Sequence, residues 1–193
     1  MKHLLHTCCG PCLLYPFKVL RNKGFDITCF FYNPNIHPFT EYRKRKTSLA
    51  QYSSTENIPL VIQGEYGFDE FIRAVVFKEK QRCSLCYDIR IEETVRYAVE
   101  NNFSSFSTTL LYSKYQNHDL IKQKCLDLSE RFNIQFVYED FRSGWQEGID
   151  DSLKKNLYRQ PYCGCIYSER ERYDNRYKKR VRQQQHNKRD FDG

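Results

Sequence analysis

HLLHTCCGPCLLYPFKVLRNK, residues 3 to 23, decides the fold. His3 to His6 reads as a short strand, Gly10-Pro11 turns the chain, and Pro11 to Lys23 carries apolar residues at helical spacing. Proline is preset for a first helical position, so the helix starts where the strand has just ended. Short apolar runs then keep alternating with longer amphipathic ones. Asp26 to Tyr32 (DITCFFY), Pro59 to Gln63, Phe103 to Leu111 and Ile134 to Tyr138 read as four further strands. Helices are expected within Pro38 to Asn57, over Phe68 to Lys78, over Ser84 to Asn101, where Ile89, Ile91, Val95, Tyr97 and Ala98 recur near helical period, and over His118 to Phe132. A last helical region runs through Trp145 to Leu157 and, after a turn at Pro161 to Cys165, Tyr167 to Arg182. This alternation predicts an α/β domain with a mainly parallel sheet and flanking helices.

A chain of 193 residues can bury roughly 70% of its unfolded surface and needs no disulfides to hold a core. The first residues lack a long apolar signal region, and no run approaches the ~20 apolar residues of a membrane span. We therefore expect a cytoplasmic protein with no membrane partner. In a reducing compartment, nine cysteines point to metal or redox chemistry. The formal charge of +7 is concentrated at one end, since residues 176 to 193 carry +5. Residues 1 to 175 are read as one catalytic domain and 176 to 193 as a basic, disordered tail. Such a tail is either a solvated end or a contact for a polyanion such as RNA.

Seven cysteines fall into three clusters: Cys8-Cys9 with Cys12, Cys83 with Cys86, and Cys163 with Cys165. The singles Cys29 and Cys125 read as buried core thiols. Vicinal cysteines on a regular strand face opposite ways, so Cys8 and Cys9 converge only if the backbone turns, as Gly10-Pro11 allows. The helix N-terminus behind them favours thiolates, and cysteines three apart, as in Cys83 and Cys86, share one face of a helix or tight turn. Two pairs give four thiolates, which suit an iron-sulfur cluster or structural zinc. Cys163-Gly164-Cys165 allows both side chains on one side of an extended segment. Its ring would be a strained, easily reduced disulfide, although two further metal ligands are the alternative. The strand-to-helix connection holding Cys8 to Cys12 is also where open α/β sheets bind ligands, yet it has neither a G-x-G-x-x-G fingerprint nor a P-loop lysine.

Six segments in order resemble the QueH family of epoxyqueuosine reductases: HTCCGPC (6 to 12), FFYNPNIHPFTEYRKR (30 to 45), RCSLCYDIRIEETVRYA (82 to 98), FSTTLLYSKYQNHDLI (106 to 121), YEDFRSGW (138 to 145) and LYRQPYCGCIYSE (157 to 169). The resemblance implies a Rossmann-like fold similar to the adenine nucleotide alpha hydrolases (HUP domains). It implies a [4Fe-4S] cluster on Cys8, Cys9, Cys83 and Cys86, and a redox-active disulfide between Cys163 and Cys165. Cys12 is then a possible ligand of an additional iron. The implied substrate is tRNA carrying epoxyqueuosine at the wobble position, served by an unidentified electron donor.

Reducing an epoxide to an alkene consumes two electrons and two protons and releases water, which a dithiol closing to a disulfide supplies. Tyr32, His37, Glu41, Tyr112, Gln116, His118, Asp140 and Arg142 are candidates for protons and positioning, each with a plain structural alternative such as helix capping at His37 or His118. Arg82 and Arg90 are read as charge balance for an anionic cluster. Tyr158-Arg159, Tyr162, Tyr167, Arg170, Arg172 and Tyr173 interleave aromatic and basic character, as a surface for single-stranded bases would. Two competing classes are a tRNA sulfurtransferase-like enzyme, which would want a phosphate loop where this chain has CCGPC, and a zinc-stabilised RNA-binding module without catalysis.

Overall fold

The computed structural model describes residues 1–189. Five strands, β1 (Lys2–His6), β2 (Asp26–Phe31), β3 (Leu60–Ile62), β4 (Ser105–Thr108) and β5 (Gln135–Phe136), form one sheet in the order β3-β2-β1-β4-β5, with every pairing parallel. Around it lie α1 (Gly10–Asn22), α2 (Phe39–Thr55), α3 (Phe68–Val75), α4 (Arg82–Glu100), α5 (His118–Phe132), α6 (Trp145–Lys154), α7 (Ile166–Tyr173) and α8 (Asn175–Arg189). The chain winds outward from β1 to β3, then returns to the other side of β1. The ends of β1 and β4 therefore flank the point where the strand order reverses, where such sheets open a binding crevice. No described helix is long and apolar enough to cross a membrane.

The central strands are buried on both faces, as parallel sheets under helices are, with Leu4, Leu5, Phe30, Phe31 and Phe106 fully enclosed. Their polar residues are matched across the ladder. His3 stands opposite Ser105 and His6 opposite Thr108, and each imidazole Nδ1 meets the facing hydroxyl at 2.8 and 2.9 Å. The helices that cover the carboxyl end of the sheet also bury polar stripes. Glu41 and Arg45 lie one turn apart inside α2, and Cys86 and Arg90 one turn apart inside α4.

Three expectations are corrected. The fourth strand stops at Thr108, because the chain tightens into a 3-10 turn over Thr109–Tyr112 once Thr108 Oγ1 accepts from the Leu110 amide. The helix expected over Tyr167 to Arg182 is two helices: Asp174 adopts extended φ/ψ and its Oδ1 accepts from the Tyr177 amide, closing α7 and starting α8. That second helix occupies Asn175–Arg189, where a disordered tail from residue 176 was expected. The remaining residues of that tail, 190 to 193, lie outside the described residues.

Candidate active site

Between β1 and α1 the chain turns as Gly10-Pro11 requires, with Cys9 extended at φ −174° as the residue before the helix and Cys12 in its first turn. The Cys8, Cys9 and Cys12 sulfurs consequently converge, all within 4.8 Å of one another and all buried. Cys8 Sγ lies 3.7 Å from Cys9 Sγ. Thr109, just past the end of β4, accepts from the Cys8 amide at 3.3 Å and donates to Cys8 Sγ at 3.7 Å. Gln160 closes the group from the far end of the chain, its Oε1 accepting from Cys9 Sγ at 3.2 Å and its Nε2 donating to Cys12 Sγ at 3.1 Å. Hydrogen bonds from the Cys12 and Cys9 thiols, aided by the Arg45 and Arg90 charges, hold Cys8 well below the usual thiol range. Burial pushes Cys9 up, and hydrogen bonding to Cys8 and Cys9 does the same to Cys12. The three sulfurs thus share one favoured thiolate, the ligating form. They form a group that could hold a metal ion.

Cys83 and Cys86 open α4, outside that trio, with Cys86 buried and Cys83 exposed. Burial pushes the Cys86 thiol up to about 12, and the charges of Cys163 and Cys165 act in the same direction, so the C-x-C segment lies beside the α4 pair. Arg90, 1% exposed, donates from Nε to Asn35 Oδ1 at 2.6 Å. Its Nη2, Asn35 Nδ2 and Arg82 Nε are buried without a partner among the described residues. An unmet buried donor costs about 1–3 kcal/mol, more when charged. Buried cationic and amide donors beside four or five thiols are the surroundings an anionic thiolate-bound metal centre would satisfy, so the residues present fit such a group.

The C-x-C loop is anchored by a cation that the sequence reading did not single out. Arg45, 1% exposed, donates to Glu41 at 2.7 Å, to the Cys163 carbonyl at 2.8 Å and to the Tyr162 carbonyl at 2.9 Å. Tyr158 donates to the other Glu41 oxygen at 2.5 Å, and the His37 amide donates to the Gly164 carbonyl at 2.7 Å. Gly164 sits at φ +146°, a conformation that L side chains rarely adopt. Cys163 and Cys165 are free thiols, like the other seven cysteines. Gln116 donates to Cys163 Sγ at 3.0 Å, while Tyr87 fixes the amide by donating to its oxygen at 2.8 Å.

One cavity of about 520 Å³ joins these parts. Cys8, Cys12 and Cys163 lie in its lining with Gln116 and Gln160, and Tyr112 and Trp145 form an aromatic wall with ring centres 5.2 Å apart. Of the expected positioning residues, Gln116 and Tyr112 line this cavity, and Glu41 acts through Arg45. His37 is boxed among Tyr66, Phe68 and Phe71 and does not cap α2, whose preceding residue is Pro38. His118 meets Tyr138 at 3.1 Å and Asp140 pairs with Arg142 at 2.6 Å, away from the cavity lining, and Tyr32 packs on Phe30. Cys29 and Cys125 are fully buried core thiols, as expected, and burial pushes Cys29 up to about 12. Arg45, Asn35, Gln160 and Trp145 were missed. Only the Glu41/Arg45 spacing of four could have signalled one of them, as a paired helix face.

An all-parallel Rossmann-like domain, with thiols gathered where its strand order reverses, defines a class of cysteine-bearing α/β proteins. Its particular branch follows from comparison: the family model for epoxyqueuosine reductase QueH matches residues 3–171. The chain belongs to this family, which makes it an oxidoreductase. It is 34% identical over 172 residues to the epoxyqueuosine reductase QueH of Dehalococcoides mccartyi, covering 89% of this chain and 94% of that one. The corresponding protein of Thermotoga maritima is 35% identical over 179 residues, covering 88% and 91%. Among solved structures, a predicted subunit of a tRNA methyltransferase from Methanocaldococcus jannaschii superposes with a TM-score of 0.51 at 12% identity, over 79% of this chain and 87% of that one. That likeness concerns the fold alone.

Proposed function

We propose that this chain reduces the epoxide of epoxyqueuosine in tRNA to the alkene of queuosine. The observation that carries this reading is the single cavity on which Cys8 and Cys12 of the trio and Cys163 of the C-x-C pair all open. Cys8, Cys9, Cys83 and Cys86 would hold a [4Fe-4S] cluster, with Cys12 available to an additional iron. Bound there, the metal centre supplies one-electron transfer and Lewis acidity.

The chain's own residues account for the rest. Oxidation of the Cys163 and Cys165 thiols to a disulfide releases two electrons and two protons. These match the two electrons and two protons that turn the epoxide into alkene and water. A dithiol or other two-electron donor must then reopen the disulfide. Gln116 holds Cys163 Sγ toward the cavity, and Arg45 fixes the carbonyls on which the pair is strung. Tyr112, whose hydroxyl donates to the Trp145 carbonyl at 3.0 Å, and Trp145 offer flat faces to a base splayed out of an RNA loop.

Oxygen-free purification with iron, sulfide and zinc analysis, followed by turnover of epoxyqueuosine tRNA, tests the reading. About four irons and four sulfides are expected in a brown protein, and Cys163→Ser or Cys165→Ser should keep the iron while abolishing turnover. Colourless protein holding zinc after iron-supplemented expression would instead support a structural RNA-binding module, and full activity in either serine variant would exclude the dithiol as reductant.

A further inference from the structure

The turn between Thr109–Tyr112 and α5 points consecutive side chains in opposite directions. Gln116 reaches inward to Cys163, whereas Tyr115 beside it is 84% exposed. This exposure is built in. The Tyr115 amide donates to Ser113 Oγ at 3.2 Å and the Gln116 amide to the Ser113 carbonyl at 3.4 Å, which tightens the turn. The Tyr115 ring stands nearly perpendicular to Trp145, at 78° with centres 5.7 Å apart, so it is pinned in place yet left open to solvent. Tyr115 also belongs to the cavity lining, whose other members include the buried Cys8 and Cys12, so it marks the outer end of the same opening.

A cavity of about 520 Å³ accommodates one modified nucleoside but not its neighbours along a strand. Adjoining nucleotides of a bound RNA loop must therefore lie over the rim. That rim carries two arginines and one carboxylate, Glu171, which is paired with Arg82. Arg159 and Arg172 line it and Lys114 lies 6.0 Å from the Trp145 ring centre, and among the described residues none of the three has a carboxylate within 4.0 Å. Cations without a paired carboxylate beside an open aromatic face match the alternation of phosphate and base in single-stranded RNA.

We propose that Tyr115 is the platform on which a base adjoining the reacting nucleoside stacks, with Arg159 and Arg172 receiving the flanking phosphates. This rests on the tRNA reading above and adds a recognition site for a nucleotide that takes no part in the chemistry. It is tested by binding alone. The oxygen-free, metal-loaded protein is titrated into a fluorescently labelled anticodon hairpin carrying epoxyqueuosine, followed by anisotropy, and free epoxyqueuosine nucleoside is used as competitor. Tyr115→Ala should weaken the hairpin about tenfold more than the nucleoside, and Tyr115→Phe should restore it, because stacking needs the ring and not the hydroxyl. Arg159→Ala and Arg172→Ala should each reduce the salt dependence of hairpin affinity by about one ion. Equal weakening of hairpin and nucleoside, or none of either, would overturn the platform while leaving the tRNA reading intact. A wild-type protein that binds the nucleoside but gains nothing from the hairpin would overturn both.

Discussion

At the scale of single residues, the site works by holding sulfur in defined company. Although Cys163 is exposed as a residue, the protein crowded around its sulfur raises the thiol, while the Arg90 charge and the Gln116 amide pull it the other way. Gln116 is free to do so because Tyr87 occupies its oxygen and leaves its Nε2 to donate. A hydrogen bond of about 1 kcal/mol that favours the thiolate corresponds to roughly a fivefold population change. Gln116→Leu should therefore slow alkylation of Cys163 by iodoacetamide roughly fivefold near neutral pH and move its pH midpoint upward. Peptide mass spectrometry on oxygen-free protein follows both, and an unchanged pH profile would mean that the amide only fills space. The trio of Cys8, Cys9 and Cys12 follows a similar logic, with Gln160 accepting from one sulfur and donating to another.

At the scale of elements, the C-x-C loop is rigid because three separate pieces of chain grip it. Arg45 of α2 takes two of its carbonyls, the His37 amide takes a third, and Ser168 of α7 donates to the Cys165 carbonyl at 2.7 Å and accepts from the Gly164 amide at 3.1 Å. Gly164→Ala would force φ +146° on a residue with a side chain and bring its Cβ to 3.2 Å from Arg45 Nη1. Strain of this kind costs about 1–3 kcal/mol, which in a domain of this size lowers Tm by roughly 5 °C. Thermal unfolding should show that loss and turnover should fall further, with iron content held, since the Cys163/Cys165 pair proposed as reductant moves while the proposed cluster ligands do not. A variant that melts like wild type would mean the loop relaxes freely. The same loop shows what sequence discloses. Cys8, Cys9 and Cys12 are neighbours in the chain, and Gly10-Pro11 announces the turn that unites them, so that corner was legible. Arg45 reaches residue 163 across 118 positions, and Gln160 reaches Cys9 across 151. No periodicity encodes such contacts. The strand-helix alternation was legible throughout, while the break at Asp174 was not, because one capping carboxylate outweighed a polar run with no apolar period of its own.

At the scale of the whole molecule, the sheet that positions the site is also sensitive to acid. His3 lies in the central strand with no exposure, its Nδ1 on Ser105 and its Nε2 without a partner, and burial lowers its pKa from 6.5 to about 4. The unfolded chain therefore binds the proton first. Stability is fully present above about pH 6.5 and drains away as pH falls toward 4, because the imidazole must be charged in the unfolded state and neutral in the sheet. Between about pH 7.5 and about pH 5 this one group should account for roughly 2 kcal/mol. Urea unfolding at the two pH values measures the difference, and His3→Gln, which can still meet the Ser105 hydroxyl, should remove about that much of the pH dependence while lowering stability at the higher pH. His6 and His37, each lowered to about 4 by burial and the Arg90 charge, act with the same sign and leave a residual slope in the variant. A variant whose urea midpoints retain the full wild-type pH dependence would mean that the central strand admits a charged imidazole.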